Sequence, residues 1–524
     1  ILTNQGMERF TGNANVSHKF GRFTVRLSSM FTRMHQSLAN ESTSYDGTIA
    51  NYCFFQSPSD VPFNEDGTFN REIGFTGVNP LYEYLHSSDR THINRTMNTL
   101  QLSYNIWDNL SISEKVAYDF SSNVEDVLWD KYSNNGDTYG GLLQRQTTRF
   151  SQLNTQTQLT YIKSFGSHNI DALAGFETED FDFAYDYMTG MDYPGELYEI
   201  VNAAETSAET SKSGYRLTSF LGRVNYNYDN KYYAGLSFRR DGTSRLAKEN
   251  RWGNFWSVSG AWRFTGESFM ESIRNTITDG KIRISYGVNG TQPSGYYGYM
   301  NLYRYGVLYN GGSGMAIIGV GNADLKWEKN HAFNIGLDLT FWNRLTMNLD
   351  FYSRTTKDLI YDLPISAVPG YYDAEHGIVA AQNVGSLKNT GIELTLTSIN
   401  IQKPDFEWTT TLNLGHNHNK VSKLDGQMDE IVSNPFIHRV GETYWSYYLY
   451  EYAGVDPETG QESYYINDPD AEPGKERATT IDSGEANKVI VGNHEPVIEG
   501  GLSNNIRWKF IDFSFTMTFS LGAD

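Results

Sequence analysis

The sequence predicts an all-β fold. It reads as a transmembrane antiparallel β-barrel with short periplasmic turns and long extracellular loops, contributing about fifteen strands to a larger ring. Three observations predict it. Large apolar residues alternate with small or polar ones in segment after segment, and alternate residues of a strand face opposite sides. The connections switch between very short and very long, as in bacterial outer-membrane barrels. Finally, the 524 residues are only 39% hydrophobic yet 14% aromatic, and no run approaches the roughly 18 consecutive apolar residues of a membrane helix.

The strands follow in chain order. Ile112, Val116, Tyr118 and Phe120 share one face, joined by Glu114, which either lies near a membrane interface or marks a slipped register. Trp256, Val258, Trp262 and Phe264 oppose Ser257, Ser259 and Arg263. Ile282, Ile284, Tyr286 and Val288 oppose Arg283, Ser285 and Gly287. Ile335, Leu337, Leu339 and Phe341 oppose Asp338 and Thr340, and beyond a turn Leu345, Met347, Leu349 and Phe351 oppose Thr346, Asn348 and Asp350. Ile392, Leu394 and Leu396 oppose Glu393, Thr395 and Thr397. The last strand is the clearest, with Ile511, Phe513, Phe515, Met517 and Phe519 against Asp512, Ser514, Thr516 and Thr518. A charge facing lipid at mid-bilayer costs up to about 2–4 kcal/mol, so such segregation is what a bilayer enforces. One stretch departs from it: Phe269 and Ile273, four residues apart, predict a short helix over Ser268 to Arg274.

Short turns are expected at Trp107 to Asn109, Phe165 to His168, Tyr228 to Lys231, Trp342 to Arg344 and Lys509 to Phe510. Nearly all set an aromatic ring beside a turn former, as an interface favours. Long connections are expected at about residues 32–92, 121–149, 183–213, 289–328, 358–385 and 455–500.

The net charge of −20 argues against a general affinity for nucleic acid or anionic surfaces. A single cysteine, Cys53, excludes a disulfide framework or a multi-cysteine metal site and is placed in a loop. The first residues carry no export signal, so either it has been removed or the chain starts elsewhere. Catalytic motifs are missing: there is no G-x-S-x-G or H-E-x-x-H, and Gly474-Lys475 is followed by Glu476. His416 and His418 share a strand face but lack a third ligand, which places them at a barrel rim. The acidic runs Asp456 to Glu462 and Asn467 to Glu476 lack the ligand spacing of a calcium loop and read as solvated. No cofactor, metal or enzymatic activity is expected.

Five segments carry a family resemblance. Phe238 to Phe264 (FRRDGTSRLAKENRWGNFWSVSGAWRF) resembles the Arg-Asp-Gly hairpin and following strand of SusC/RagA-type TonB-linked outer-membrane proteins. Asn322 to Lys329 (NADLKWEK), Asn383 to Leu396 (NVGSLKNTGIELTL), Tyr452 to Gly460 (YAGVDPETG) and Val491 to Asn504 (VGNHEPVIEGGLSN) are similar to later elements of that family, in the family's order. Locally, Asp241-Gly242 and Asn389-Thr390-Gly391 read as turn formers, and Trp252 and Trp327 as interface anchors.

The resemblance implies a barrel of about 22 strands filled by an amino-terminal plug, pulled by a TonB complex and capped by a SusD-like surface lipoprotein. Its cargo would be an oligosaccharide or a peptide, imported across the outer membrane of a Gram-negative bacterium. No plug or TonB-contacting box is found, so residues 1–524 are expected to be a partial barrel domain lacking the plug and the last strands. Such a piece leaves open edges and should neither insert stably nor transport alone. Tyr296, Tyr297, Tyr299 and Trp445 are candidate substrate-binding residues, because flat rings suit the apolar faces of sugars, with loop or interface packing as the other reading. Two alternatives remain at this stage: a passive porin-like or structural barrel, and a soluble carbohydrate-binding β-protein.

Overall fold

The computed structural model describes residues 5–38, 53–71, 73, 77–310, 312–365, 379–424, 429–468 and 478–523. The chain begins with β1 (Gly6–Phe20), β2 (Phe23–Leu38), helix α1 (Pro80–His86), β3 (Ser88–Trp107), β4 (Leu110–Trp129), β5 (Leu142–Phe165), β6 (His168–Met191) and β7 (Glu205–Tyr228). It continues through β8 (Tyr232–Thr243), β9 (Trp252–Trp262), β10 (Ile277–Thr291), β11 (Leu302–Tyr309), β12 (Gly312–Gly319), β13 (Glu328–Phe341), β14 (Leu345–Lys357), β15 (Ile360–Pro364) and β16 (Val379–Asn383). Next come β17 (Gly385–Lys403), β18 (Phe406–Leu424), β19 (Glu430–Ser433), β20 (Phe436–Arg439), β21 (Ser446–Tyr450) and β22 (Tyr452–Val455). The last are β23 (Glu462–Tyr465), β24 (Thr479–Thr480), β25 (Lys488–Asn493), β26 (Ile498–Trp508) and β27 (Ile511–Leu521).

Sixteen of these strands form one sheet in the order β1 to β10, then β13, β14, β17, β18, β26 and β27. The intervening strands make small sheets within the long connections: β11 with β12, β15 with β16, β19 to β21 with β25, and β22 to β24. Packing divides the chain into two compact units, residues 1–159 with 175–218 and residues 160–174 with 219–524.

Register confirms the alternation read from the sequence. In the second unit Leu339, Met347, Leu396, Leu412, Leu502 and Met517 lie side by side across β13, β14, β17, β18, β26 and β27. One residue further along each strand, the row reads Thr340, Thr346, Thr397, Thr411, Ser503 and Thr516. A one-residue slip anywhere would exchange these faces, so the apolar face fixes the pairing. Among the described residues no second layer covers it: Ile335, Phe351, Ile392, Phe513 and Phe515 are all exposed. A soluble sandwich would bury that face.

Glu114 settles the same way. It pairs with Leu102 on the apolar face, and its carboxylate accepts from Thr157 Oγ1 of β5, so the register was correct and the charge is hydrogen-bonded. It stands four residues from Leu110, the first residue of β4 after a short turn.

The short turns fall where expected, with two more at Gly21-Arg22 and Pro404-Asp405. Asp229 and Asn230 both have positive φ, as do Trp342 and Asn343, the backbone of a type I′ hairpin. Trp342 thus occupies the bend itself, with its ring exposed.

Several expectations need correction. Asp241-Gly242 is no turn: β8 runs on to Thr243, because Asp241 is buried against Arg239 and Gly242 lies under the Trp252 ring, 2.8 Å from where a Cβ would sit. Asn389-Thr390-Gly391 likewise lies inside β17, where a side chain at Gly391 would strike the Tyr352 hydroxyl and the His416 carbonyl. The short helix expected over Ser268 to Arg274 is present at Ser268–Ile273, coiled as a 3-10 helix. The long connections are shorter than expected at most ends, since β2, β4 and β6 extend to Leu38, Trp129 and Met191. Polar side chains there keep strand pairing beyond any bilayer, which apolar alternation cannot reveal. The last connection instead opens earlier, after Leu424. Cys53 is exposed, and most of the acidic run Asn467 to Glu476 lies outside the described residues.

Candidate functional site

The tightest packing lies within the connections, on the side of the strands away from the short turns. Leu246 and Leu325 are fully buried, with Trp327 and Phe255 nearly so. Trp327 stands edge-on to Phe255 at 5.3 Å and donates from Nε1 to the Arg251 carbonyl at 2.9 Å. Asn383 accepts from the Lys326 amide at 3.0 Å and donates to the carbonyls of Lys326 and Asp358 at 3.1 and 2.8 Å. Arg245 donates to the carbonyls of Pro293 and Ser294 at 2.8 and 2.9 Å, and its guanidinium covers Tyr296. Segments from three of the resemblance motifs, around residues 239–255, 322–329 and 383, therefore meet in one knot. Trp327 anchors that knot and is not an interface residue, whereas Trp252 is exposed as expected.

Beside the knot lies a cavity of about 240 Å³, lined by Tyr297, Met300, Leu325, Ile360, Asp362 and Val379 among others. Strand β15 connects it to a second cluster, because Ile360 and Asp362 line the cavity while Tyr361 stands edge-on to His438 at 5.8 Å. His438 is buried, stacks on Tyr444 at 4.1 Å, and hydrogen-bonds the Tyr444 carbonyl through Nδ1. Burial holds its basicity below the ordinary imidazole value and favours the neutral ring. Trp445 packs edge-on against Phe436, His438 and Tyr444 at 5.0, 5.4 and 5.1 Å and stays 42% exposed.

The four candidate residues thus fall in two places. Tyr296 is capped by Arg245 and touches Tyr297, which lines the cavity, while Tyr299 is half-buried on the same segment. Trp445 presents a braced, partly open ring in the turn that leads into β21 of the separate small sheet. Sequence reasoning missed Tyr361, Asp362 and His438, since nothing in the linear pattern signals which loops will pack together.

The polar face carries its own constellation. Arg283 forks between two carboxylates, with Nε and Nη2 on Asp338 at 2.8 Å and Nη1 and Nη2 on Asp350 at 3.1 and 3.0 Å. Gly336 makes room for it: a Cβ there would fall 2.6 Å from the Arg283 guanidinium. Nearby, Lys163, Asn169, Asp171, Asn225, Lys281 and Ser285 help line a recess of about 620 Å³ of mixed polar and apolar character. The arrangement offers hydrogen bonds and charge.

In the first unit, α1 anchors a further loop knot. The Asn79 side chain caps the helix by accepting from the Leu81 and Tyr82 amides. Tyr82 and Tyr198 donate their hydroxyls to the two oxygens of buried Asp130 at 2.6 and 2.5 Å. Burial and that carboxylate hold both phenols well above their ordinary range. Glu83, 4% exposed, accepts from the Asn134 amide at 2.6 Å, and burial pushes its carboxyl up to about 7.

Among the described residues no three His, Cys, Asp or Glu side chains form a metal-holding group. His416 Nδ1 meets the Val497 carbonyl at 2.5 Å. Asp456 accepts from the Glu458 and Thr459 amides at 2.7 and 2.9 Å, so its loop closes on itself.

Comparison with known proteins agrees with the fold. The chain is 29% identical to TonB-dependent receptor P3 of Formosa agariphila over 558 residues, covering all of this chain and 54% of that one. It is 28% identical to TonB-dependent receptor SusC of Bacteroides thetaiotaomicron over 575 residues, covering 99% and 54%. It therefore spans about half the length of the curated relatives it matches. Among solved structures, the RagAB peptide importer in its closed-closed state superposes with a TM-score of 0.86 at 23% identity, covering 99% of this chain and 58% of that one. The siderophore receptor PiuA of Acinetobacter baumannii aligns at 0.53 and 12% identity, covering 99% and 65%, a likeness of fold alone. Residues 35–482 match the family described as TonB dependent receptor-like, beta-barrel, and the chain belongs to that family.

Proposed function

We propose that this chain is the barrel portion of an energy-coupled outer-membrane importer that takes up oligosaccharides or peptides. In this reading a plug from the rest of the protein fills the barrel, a TonB complex pulls on it, and a SusD-like surface lipoprotein closes over the long loops. The observation that carries it is an apolar face left exposed on strands whose opposite face is polar. The family match and the likeness to SusC support the energy-coupled class. The braced ring of Trp445 and the cavity beside Tyr297 are where cargo contact is proposed. Residues 1–524 are taken as part of one barrel domain.

Growth on candidate glycans and peptides tests the reading, with the full-length gene present or deleted and with TonB present or deleted. An importer of this class loses growth on its cargo in both deletions. Uptake that survives loss of TonB contradicts energy coupling and supports a passive pore. A full-length product absent from the outer-membrane fraction contradicts both.

A further inference from the structure

The apolar face of β1 to β4 changes character along its length. Counted from the short turns, its rows read Phe20, Phe23, Tyr104 and Ile112, later Val16, Leu27, Leu100 and Val116, and then Gly12, Phe31, Thr96 and Phe120. The following rows on the same face bring Phe10, Arg33, Asn94 and Ser122, then Glu8, His35, His92 and Val124, then Gly6, Ser37, Arg90 and Asp126. A barrel strand crosses the hydrocarbon in about 9–11 residues. Arg33 is the eleventh residue of β2, so this basic cluster stands where lipid tails give way to headgroups, on the long-loop side.

Its members are ready for an anion. Arg33 and Arg90 are exposed and take part in no ion pair among the described residues. His35 and His92 stack across β2 and β3, ring centroids 4.3 Å apart, with their Nδ1 atoms 3.1 Å apart. One Nδ1 donates to the other, which leaves at least one Nε2–H free to donate elsewhere. Two carboxylates stand in these outer rows: Asp126 is engaged by Arg145 at 2.6 Å, and Glu8 stands beside His35. Arginine forks and imidazole N–H groups match phosphate oxygens.

We propose that Arg33, His35, His92 and Arg90 form a docking site for the phosphate of an outer-leaflet lipid headgroup. The site rests on placing the barrel in the outer membrane but not on import, so loss of lipid binding with uptake intact refutes the site alone.

The test uses the full-length receptor in detergent, with native mass spectrometry of its complexes with phosphorylated lipid A and with the same lipid stripped of phosphate. The phosphorylated lipid should be retained preferentially. Each arginine removed should weaken retention about fivefold, and Arg33→Ala with Arg90→Ala about thirtyfold. Arg26→Ala, on the opposite face, should change nothing. If the double variant fails to fold, Arg33→Gln alone should still show the fivefold loss. Equal retention of both lipids, an unaffected arginine variant, or complete displacement by millimolar inorganic phosphate would overturn the proposal.

Discussion

Glu83→Gln should abolish a pH dependence built into the α1 loop knot. The Glu83 carboxyl is 4% exposed, accepts from the Asn134 amide, and faces Asp130 and Asp137. Burial, aided by those two acids, raises it from 4.5 to about 7. Because the folded knot binds this proton more tightly than the opened chain, the stabilisation is complete below about pH 4.5 and is lost as pH rises through about 7. At about 1.36 kcal/mol per pH unit, the knot should be about 2–3 kcal/mol easier to open at pH 8 than at pH 5. Glutamine keeps the carbonyl acceptor for Asn134 and cannot ionise, so Glu83→Gln should open with nearly the same free energy at both values. The assay is amide hydrogen exchange of residues 79–87 and 130–141 in the full-length receptor, corrected for the intrinsic pH dependence of exchange. A wild-type knot insensitive to pH, or a Gln variant as sensitive as wild type, refutes the reasoning.

Other perturbations have equally definite outcomes. Leu325→Ala, at a fully buried position, should cost about 3–5 kcal/mol of local stability, read as faster proteolysis of the loops while the sheet stays intact. Gly336→Ala should force the Arg283 guanidinium off one of its two aspartates and cost about 1–3 kcal/mol, read as a lower unfolding midpoint in detergent. Trp445→Ala should weaken cargo retention while leaving insertion unchanged, and an unchanged cargo affinity would remove Trp445 from the site.

Alternation was legible because lipid and water impose opposite demands on successive residues, so Ile511 to Phe519 states its two faces outright. The turn at Asp229-Asn230 was legible for a local reason too, since Asp and Asn are among the few residues that tolerate left-handed positions, whereas at Trp342-Asn343 only Asn343 carries that signal. The glycines were misread where tertiary packing set their role: Gly242 lies under Trp252 and Gly391 makes room for Tyr352, and nothing local separates such glycines from turn glycines. The same limit applies to the candidate site. Tyr297 and Trp445 were visible as loop aromatics, but the strand that joins their surroundings, β15 with Tyr361, comes from a different connection. Trp327 looked like an interface anchor because a tryptophan beside a strand has that local signature, whereas its partners Arg251 and Phe255 lie more than seventy residues earlier.

Which side of the strands meets lipid decides whether this sheet is a membrane barrel. With Cys53 replaced by serine, single cysteines can be placed in turn along β13 of the full-length receptor in membranes. Positions 335, 337 and 339 should be quenched by lipid-phase reagents and resist water-soluble maleimides, while 334, 338 and 340 should face away from lipid. Labelling without that alternation, or with the two sets exchanged, would contradict a membrane barrel.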